Sequence, residues 1–390
     1  MSRVGKNIYK RKDNRWEGRI KVGCRNGRTI YKSVYAKTYG EARTKMDKTI
    51  AEMAKENPNI SKKKGLSFRK ASDLWLNSIK NKRKESSIVK YEDLLRCYLL
   101  PELGDKEISG IEPKELDALI TALGIRGGKK GKGLSSTTLR QILSVASSIK
   151  KSMQKEGYAV SYSTDDITIK KKRREIHVLS DIDRQKLVNY LKAVINNKNS
   201  SDKDILTAVG VLLSLLTGIR EGELCALKWD NIDIKAKALR IGSTMKRIRV
   251  SDKSSSGTKT RVIITAPKSE SSKRDIPLPD HLVEILKHYY KKGSFLLTGN
   301  PDKYVEPRTL QNRFRSILRK CGIKETNFHV LRHSFATAYV ESTADIKSLS
   351  EILGHASVVI TMDMYVHPSR SIKAANMEKV ADSFWCSKIA

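Results

Sequence analysis

"NFHVLRHSFATAYV", residues 327–340, sets two histidines and an arginine within five positions of what otherwise reads as a half-buried helix. Leu331, Phe335, Ala338 and Tyr339 recur at helical spacing and mark its expected buried face. His329 and Arg332 stand three apart, so they project from one side of the same turn. A plain core helix has no use for a fixed cation and a titratable ring in that place. The residues around it decide what such a pair would hold.

Composition narrows the partner first. The chain has 390 residues, 39% of them apolar, enough for two or three domains with cores of their own. Lys and Arg number 77 against 42 Asp and Glu, a net charge of +35. An excess of that size repels itself unless a polyanion is the partner, and nucleic acid is the usual one. The excess is distributed: +13 over residues 1–65, +9 over 66–175 and +13 over 176–390. Every segment is therefore expected to meet the polyanion, the first most densely. A basic membrane-surface protein is the rival, but no apolar run approaches the ~20 residues of a span, and "MSRVGKNIYKRK" lacks the apolar core of a signal peptide. Cys24, Cys97, Cys225, Cys321 and Cys386 are scattered with no C-x-x-C pair, which reads as reduced thiols in a cytosolic protein.

Two polar, basic stretches divide the chain: "ENPNISKKKGLS" (56–67) and "SYSTDDITIKKKRREIHVLSD" (161–181). Before the first, "NIYKRKDNRWEGRIKVGCRNGRTIYKSVYAKT" alternates like three short strands, with turns at Asp13-Asn14 and Asn26-Gly27. A helix follows, with Ala42, Met46, Ile50 and Met53 on one face. Basic residues interleaved with aromatics on a small sheet suit a DNA groove, although a solvated sheet has the same pattern. Between the linkers the chain reads as helical. Ser67 is the expected cap of a helix carrying Phe68, Ala71, Leu74, Trp75 and Ile79 on one stripe. "SSIVKYEDLLRCYLLPELG" follows and is expected to stop at Pro101; "EPKELDALITALG" and "STTLRQILSVASSIKKSMQKEG" complete a bundle that carries no chemistry.

The chemistry lies beyond residue 178. "LLSLLTGIREGELCALKWDNID" (212–233) is an apolar helix, a glycine break and a second helix opened by Arg220. "RVIITAPKSESSKRDIPLP" (261–279) is a strand, a polar turn and a strand. "LSEILGHASVVITMDMYVHP" (349–368) sets His355 just after a helix-ending glycine and Tyr365 ten residues later. His329 and His333 are four apart, a zinc-ligand spacing, but Val330 stands where the helical zinc motif needs glutamate, and no third ligand is at hand. His333 reads instead as a satisfied core or supporting residue. Phosphate-cradling glycine loops are absent, and the carboxylates are scattered singly.

Two arginines, two histidines, a lysine on a turn and a tyrosine fit phosphoryl transfer without metal. Guanidinium forks hold the two non-bridging oxygens of a pentacoordinate phosphorus. A tyrosine hydroxyl attacks and stores the bond energy as a phosphotyrosine. A lysine, ordinarily near ~10.4, can protonate the departing oxygen if nearby cations lower it.

In these boxes, "TGIREGELCALKWDNID" (217–233), "HVLRHSFAT" (329–337) and "LGHASVVITMDMYVH" (353–367), the chain resembles the tyrosine recombinases, closest to integrases of phages and conjugative transposons. The resemblance implies catalytic roles for Arg220, His329, Arg332 and His355, with Tyr365 as nucleophile. It places the acid lysine in the turn at "APKSESSKRDIPL", best fitted by Lys268, with Lys273 and Lys259 close by. Glu223, one turn after Arg220, reads as a carboxylate orienting a member of the cluster; an exposed glutamate is the other reading. The longer "MKRIRVSDKSSSGTKTR" (245–261) reads as an extended hairpin.

The implied fold is multidomain α+β. It comprises an arm-type DNA-binding domain (1–55), a linker (56–66), a helical core-binding domain (67–160), a basic linker (161–177), a mainly α catalytic domain with a small sheet (178–370), and a tail (371–390). Met377, Val380, Ala381 and Phe384 would share one face of that tail and dock on a neighbouring protomer. The implied enzyme cuts and rejoins DNA through a 3′-phosphotyrosyl intermediate, integrating and excising a mobile element, with no cofactor, metal or ATP. The implied partners are double-stranded DNA at core and arm sites, three further copies in a tetramer on two duplexes, and an excision accessory factor. The expected location is the bacterial cytoplasm, at the nucleoid. A type IB topoisomerase or a non-catalytic DNA-binding regulator are the alternatives.

Overall fold

The computed structural model describes residues 7–11, 13–25, 28–56, 65–128, 131–170, 177–250, 260–266, 270–343 and 345–365, with seven further positions between 374 and 384. The chain divides into two compact units, residues 1–171 and 172–390. None of the described helices is long and apolar enough to cross a membrane.

The first unit begins with β1 (Ile8–Lys10), β2 (Trp16–Arg25) and β3 (Arg28–Ala36), an antiparallel sheet in that order, followed by α1 (Tyr39–Glu56). The turn into β2 uses Asn14 at φ 64°, a left-handed conformation that asparagine tolerates better than most side chains. The expected Asn26-Gly27 turn lies outside the described residues. Ile8, Ala36 and Ala42 form the small core, with Trp16, Tyr39 and Met46 against it. Glu17 is buried and bonded by Arg11, Arg19 and Ser33. Tyr35 stays exposed with the Arg11 and Arg15 guanidinium groups over its ring at 5.4 and 5.7 Å.

A helical bundle follows: α2 (Phe68–Lys80), α3 (Glu85–Leu94), α4 (Leu100–Leu103), α5 (Pro113–Arg126) and α6 (Ser136–Lys155). Ser67 caps α2, its side chain accepting from the Lys70 amide. Phe68, Ala71 and Trp75 are buried as the stripe predicts, but Leu74 is 41% exposed. The inward face turns toward Ser72, whose hydroxyl returns to the Phe68 carbonyl, and Leu76 packs on the core where Leu74 does not. Helical structure also continues past Pro101, contrary to expectation. A π-helical turn at Leu95–Leu99 widens the backbone just before it, and Pro101 then sits in the first turn of α4, where no amide is needed.

The second unit holds α7 (Asp181–Asn196), α8 (Asp202–Thr217), α9 (Glu221–Ala226), β4 (Ile232–Asp233), β5 (Ala238–Ile241), β6 (Thr244–Arg249), β7 (Thr260–Thr265) and β8 (Arg274–Pro277). The helices α10 (Asp280–Tyr289), α11 (Pro307–Lys320), α12 (His329–Thr343), α13 (Ile346–Leu353) and α14 (Val358–Tyr365) follow. α8 is apolar almost all round and buried along most of its length, as the central helix of the core must be. The strands before and after the polar turn are not each other's partners. β7 pairs with β6, closing the extended hairpin, whereas β8 joins β5 in a sheet of order β4-β5-β8.

α12 buries more than the stripe on which it was predicted. Leu331 is fully buried, but so are Val330, Ser334 and Ala336, while Phe335, Ala338 and Tyr339 are half-buried. The helix is enclosed on several sides: Val330 and Leu331 enter the main core, and Ala336 meets Leu349, Leu353 and Tyr365 in a second one. Ser334 is satisfied by accepting from the Leu179 amide.

Candidate active site

Arg220 caps the N-terminus of α9, and the break before it requires glycine. Gly218 ends α8 at φ 66°, and a Cβ there would come within 2.6 Å of Phe335 and 2.9 Å of Leu353. The chain therefore turns tightly between α8 and α9 with α12 and α13 pressed against it. Glu223 fixes the next turn. Its Oε2 accepts from the Arg220 amide at 3.0 Å and its Oε1 from the Arg220 guanidinium at 2.7 Å. The other arm of that guanidinium donates to the Gly354 carbonyl at 3.2 Å.

Glu223 is 4% exposed and has a second cation. Arg274, at the start of β8, donates to both of its oxygens, at 2.9 and 3.3 Å. Burial works against the Glu223 charge, yet the Arg274 bonds and the nearby Arg220 outweigh it and hold the carboxyl below its ordinary range. Arg274 also donates to the Ile352 and Ser272 carbonyls. One arginine thus ties the end of the lysine-bearing turn to the carboxylate behind Arg220 and to the end of α13. Lys268 itself, like Lys259, lies outside the described residues; Lys273 is described and exposed.

Arg332 is 2% exposed, with its guanidinium distributed over three acceptors. It donates to the Gly218 carbonyl at 2.9 Å, the Leu353 carbonyl at 2.7 Å and His355 Nε2 at 2.9 Å. Burial first, then the Arg220 charge, lower it to about 9, so it remains a cation at neutral pH. Since His355 Nε2 accepts, its proton sits on Nδ1 and is donated to the buried Thr361 hydroxyl at 2.8 Å. Burial and the same two arginines push His355 down to about 4.

His329 opens α12 and remains accessible to solvent. Crowding by protein atoms, then His333, Arg332 and Arg220, lower it to about 4. Both rings are therefore neutral at pH 7, and the positive charge of the pocket rests on its arginines. Tyr365 ends α14, 8% exposed, with its hydroxyl 2.8 Å from His333 Nδ1. Burial raises the phenol; Arg332 and Arg220 pull the other way.

The pocket thus brings together Arg220, Glu223, Arg332, His355 and Tyr365, with His329 at its margin. Two members are not singled out by their sequence, and a third is named there without its partner. Arg274 precedes Ile276 by two on a strand, so alternation turns it inward, and an inward arginine calls for a buried carboxylate. Thr361 carries no signal beyond lying six residues after the histidine it bonds. His333, read from sequence as a satisfied core or supporting residue, bonds the tyrosine hydroxyl, a partner its sequence does not name.

Residues 181–371 match the model of the phage integrase family, and residues 67–124 match that of its N-terminal SAM-like domain. The chain belongs to the phage integrase family. It is a tyrosine-type site-specific recombinase, an enzyme of DNA recombination. Among curated relatives it is 28% identical to a XerC-like tyrosine recombinase of Caldanaerobacter subterraneus subsp. tengcongensis, over 92% of this chain and 93% of that one. It is 26% identical to the integrase of Staphylococcus phage L54a, over 58% and 69%. Among solved structures, the Tn1549 transposon integrase in complex with transposon right end DNA superposes with a TM-score of 0.61 at 19% identity, over 80% of this chain and 99% of that one. The lambda integrase dimer bound to a core site gives 0.55 at 17% identity, over 93% and 95%. These likenesses establish the shared fold.

One buried group beside the pocket has no use there. Glu221 Oε1 has no hydrogen-bond partner, and burial raises the carboxyl to about 7, next to the buried Cys225 thiol. The folded chain then holds a proton that the unfolded one releases near 4.5. The stability tied to that proton is complete below about 4.5 and is lost as pH rises through 7. Glu221→Gln should be more stable than wild type at pH 8, by about 2–3 kcal/mol at most, and the gap should close by pH 5. Urea melts at the two pH values measure it.

Proposed function

We propose that this recombinase cleaves DNA by attack of Tyr365 on the scissile phosphate, forming a 3′-phosphotyrosyl bond that a second strand later resolves. The observation that carries the reading is the shared pocket. A buried guanidinium bonded to His355 lies beside the Tyr365 hydroxyl, with the Arg220 fork held by Glu223 at the same place. Arg220 and Arg332 oppose the charge that gathers on the non-bridging oxygens, the neutral ring of His329 supplies a directed bond to one of them, and His355 holds the Arg332 guanidinium in place. Glu223 and Arg274 orient Arg220 and do not touch the phosphate.

Lys268 is the proton donor to the departing 5′ oxygen in this reading. Lys268→Ala should slow cleavage of ordinary DNA by about 10²–10³ and recover when that oxygen is replaced by sulfur, which leaves without a proton. The same rescue in Lys273→Ala, and its absence in Lys268→Ala, would move the role to Lys273.

Residues 1–55 read an arm site, residues 67–160 bind beside the core site, and residues 178–370 cut it. The exposed Tyr35 with its two stacked arginines supports DNA contact by the first of these. The working assembly is a homotetramer on two duplexes, and the tail beyond 371 joins protomers. The lambda integrase tetramer bound to a Holliday junction supports that arrangement. So do Met377, Val380 and Phe384, helical and exposed on the chain alone. The substrate is a mobile element, the site of action is the cytoplasmic nucleoid, and an accessory protein sets the direction toward excision.

The test is covalent capture. Nicked duplexes from a random-sequence pool are incubated with the full chain and excess chelator, and protein–DNA adducts are isolated under denaturing conditions. A peptide bearing DNA at Tyr365 supports the reading. Capture at another residue, or capture that chelator prevents, sinks it.

A further inference from the structure

The mechanism so far leaves one proton unassigned, the one on the Tyr365 hydroxyl. We infer that His333 is the general base that takes it, through the contact between its Nδ1 and the phenol. This rests on Tyr365 being the nucleophile.

Geometry carries the assignment. The 2.8 Å separation is that of a full hydrogen bond. The proton can pass along this bond when the phenol donates to a bare Nδ1 and the ring proton sits on Nε2, which is the tautomer the assignment requires. The groups that face this pair are few. His329 meets the His333 ring edge-on at 4.8 Å between centroids, and Arg332 stands next to it on α12. Tyr365 is the contact from α14; Arg332 acts on its phenol by charge and hydrogen bond, Arg220 acts on it from the α9 cap, and His355 bonds Arg332. No carboxylate is bonded to either His333 or Tyr365 among the described contacts. His355 Nε2 is committed to Arg332, and among the described residues it is His333 whose ring nitrogen lies at hydrogen-bond distance from the nucleophile's hydroxyl.

Burial, then the Arg332 charge, hold the His333 ring below its ordinary 6.5, so at neutral pH it is unprotonated and able to accept. In the cleavage step the phenol oxygen forms its bond to phosphorus as its O–H bond breaks, and the proton passes to Nδ1. The P–O5′ bond breaks with its electron pair on oxygen, which takes a proton from the lysine. His333 is then an imidazolium beside the phosphotyrosine. In resolution an incoming 5′ hydroxyl attacks phosphorus and gives its proton to the now neutral lysine, the tyrosine oxygen leaves, and Nδ1 returns the proton to it. A surrounding of cations favours that return, because the charged ring is held there against burial and Arg332.

His333→Gln tests this against a merely positional role. Glutamine can still reach the phenol with a hydrogen-bonding group but cannot carry the proton. The assay is single-turnover adduct formation, with the full chain, on a nicked duplex captured by wild type from the random pool. Wild-type rates should fall as pH drops through the His333 pKa, below 6.5. His333→Gln and His333→Ala should both be slower by about 10²–10⁴ at pH 7, with unchanged melting and DNA affinity, and their rates should climb with pH where wild type is flat. A fluorinated tyrosine at 365, whose phenol ionises more readily, should restore at least tenfold to either variant and little to wild type. A glutamine variant within about threefold of wild type across pH overturns the inference. So does a slow variant with the wild-type pH profile and no fluorotyrosine rescue. A wild-type chain that captures no DNA through Tyr365 overturns the functional reading itself, whereas wild-type capture with an indifferent His333 overturns the base alone.

Discussion

Tyr365→Phe is expected to bind its DNA sites as wild type does and to form no covalent complex at all. The substitution removes one oxygen from a ring that packs with Ala336, Leu349, Leu353 and Met364, and it keeps every apolar contact of that small core. What is lost is the hydroxyl's bonding to His333 Nδ1 and to the Arg332 guanidinium, at a cost of about 1 kcal/mol for each bond. The fold should stand, with a melting temperature within a few degrees of wild type. Binding rests on cations that the change does not touch, so affinity and its salt dependence should also hold. The chemistry cannot survive: without the hydroxyl there is no oxygen to join to phosphorus. Gel mobility under denaturing conditions separates the outcomes, and a band of adduct in the phenylalanine variant would show that Tyr365 is not the nucleophile.

How far the sequence could reach is visible in which residues it named. Arg220, His329, Arg332, His355 and Tyr365 fall in stretches where helix ends and glycine breaks are marked by local chemistry, and such signals are read one segment at a time. Gly218 and Gly354 announce the two turns because each adopts a positive φ, 66° and 63°. What local signals do not contain is the partner across the fold. Glu223 could be assigned as a supporting carboxylate or as an exposed one, and the choice depends on Arg274, 51 residues away. His333 could be core or supporting, and the choice depends on a partner 32 residues off on another helix. The pairing of β7 with β6 and of β8 with β5 is a matter of the same kind, since a strand, a turn and a strand in sequence do not say which strands lie side by side. Leu74 and Pro101 failed for a different reason. Each is a propensity argument about one residue, overruled by how its helix is seated and by the π turn at Leu95–Leu99.

The same long-range network sets the expectation for Arg220→Lys. Arg220 works as a fork, with one arm on Glu223 Oε1 at 2.7 Å and the other on the Gly354 carbonyl at 3.2 Å. A lysine ammonium is one point of charge and can satisfy one of these, so either it leaves the Gly354 end or it leaves the carboxylate. The fold should tolerate the change, because Arg274 still neutralises Glu223 through two bonds of its own and the Arg220 amide still caps on Oε2. DNA affinity should change by less than about threefold, because the count of cations is unchanged. Cleavage should nevertheless fall by about 10²–10³, the usual consequence of losing one directed donor to a charge that develops only in the transition state. Position suffers as well as the directed contact, since Gly354 precedes His355 and the lost bond held that turn against Arg220. A companion variant sharpens the reading. Glu223→Gln keeps Arg220 but removes the charge that orients it and leaves Arg274 buried without a counter-ion, so it should lose both cleavage and several degrees of stability. Single-turnover cleavage beside thermal melts distinguishes the two. A lysine variant that cleaves within about fivefold of wild type would mean that Arg220 contributes charge alone and that its fork is incidental.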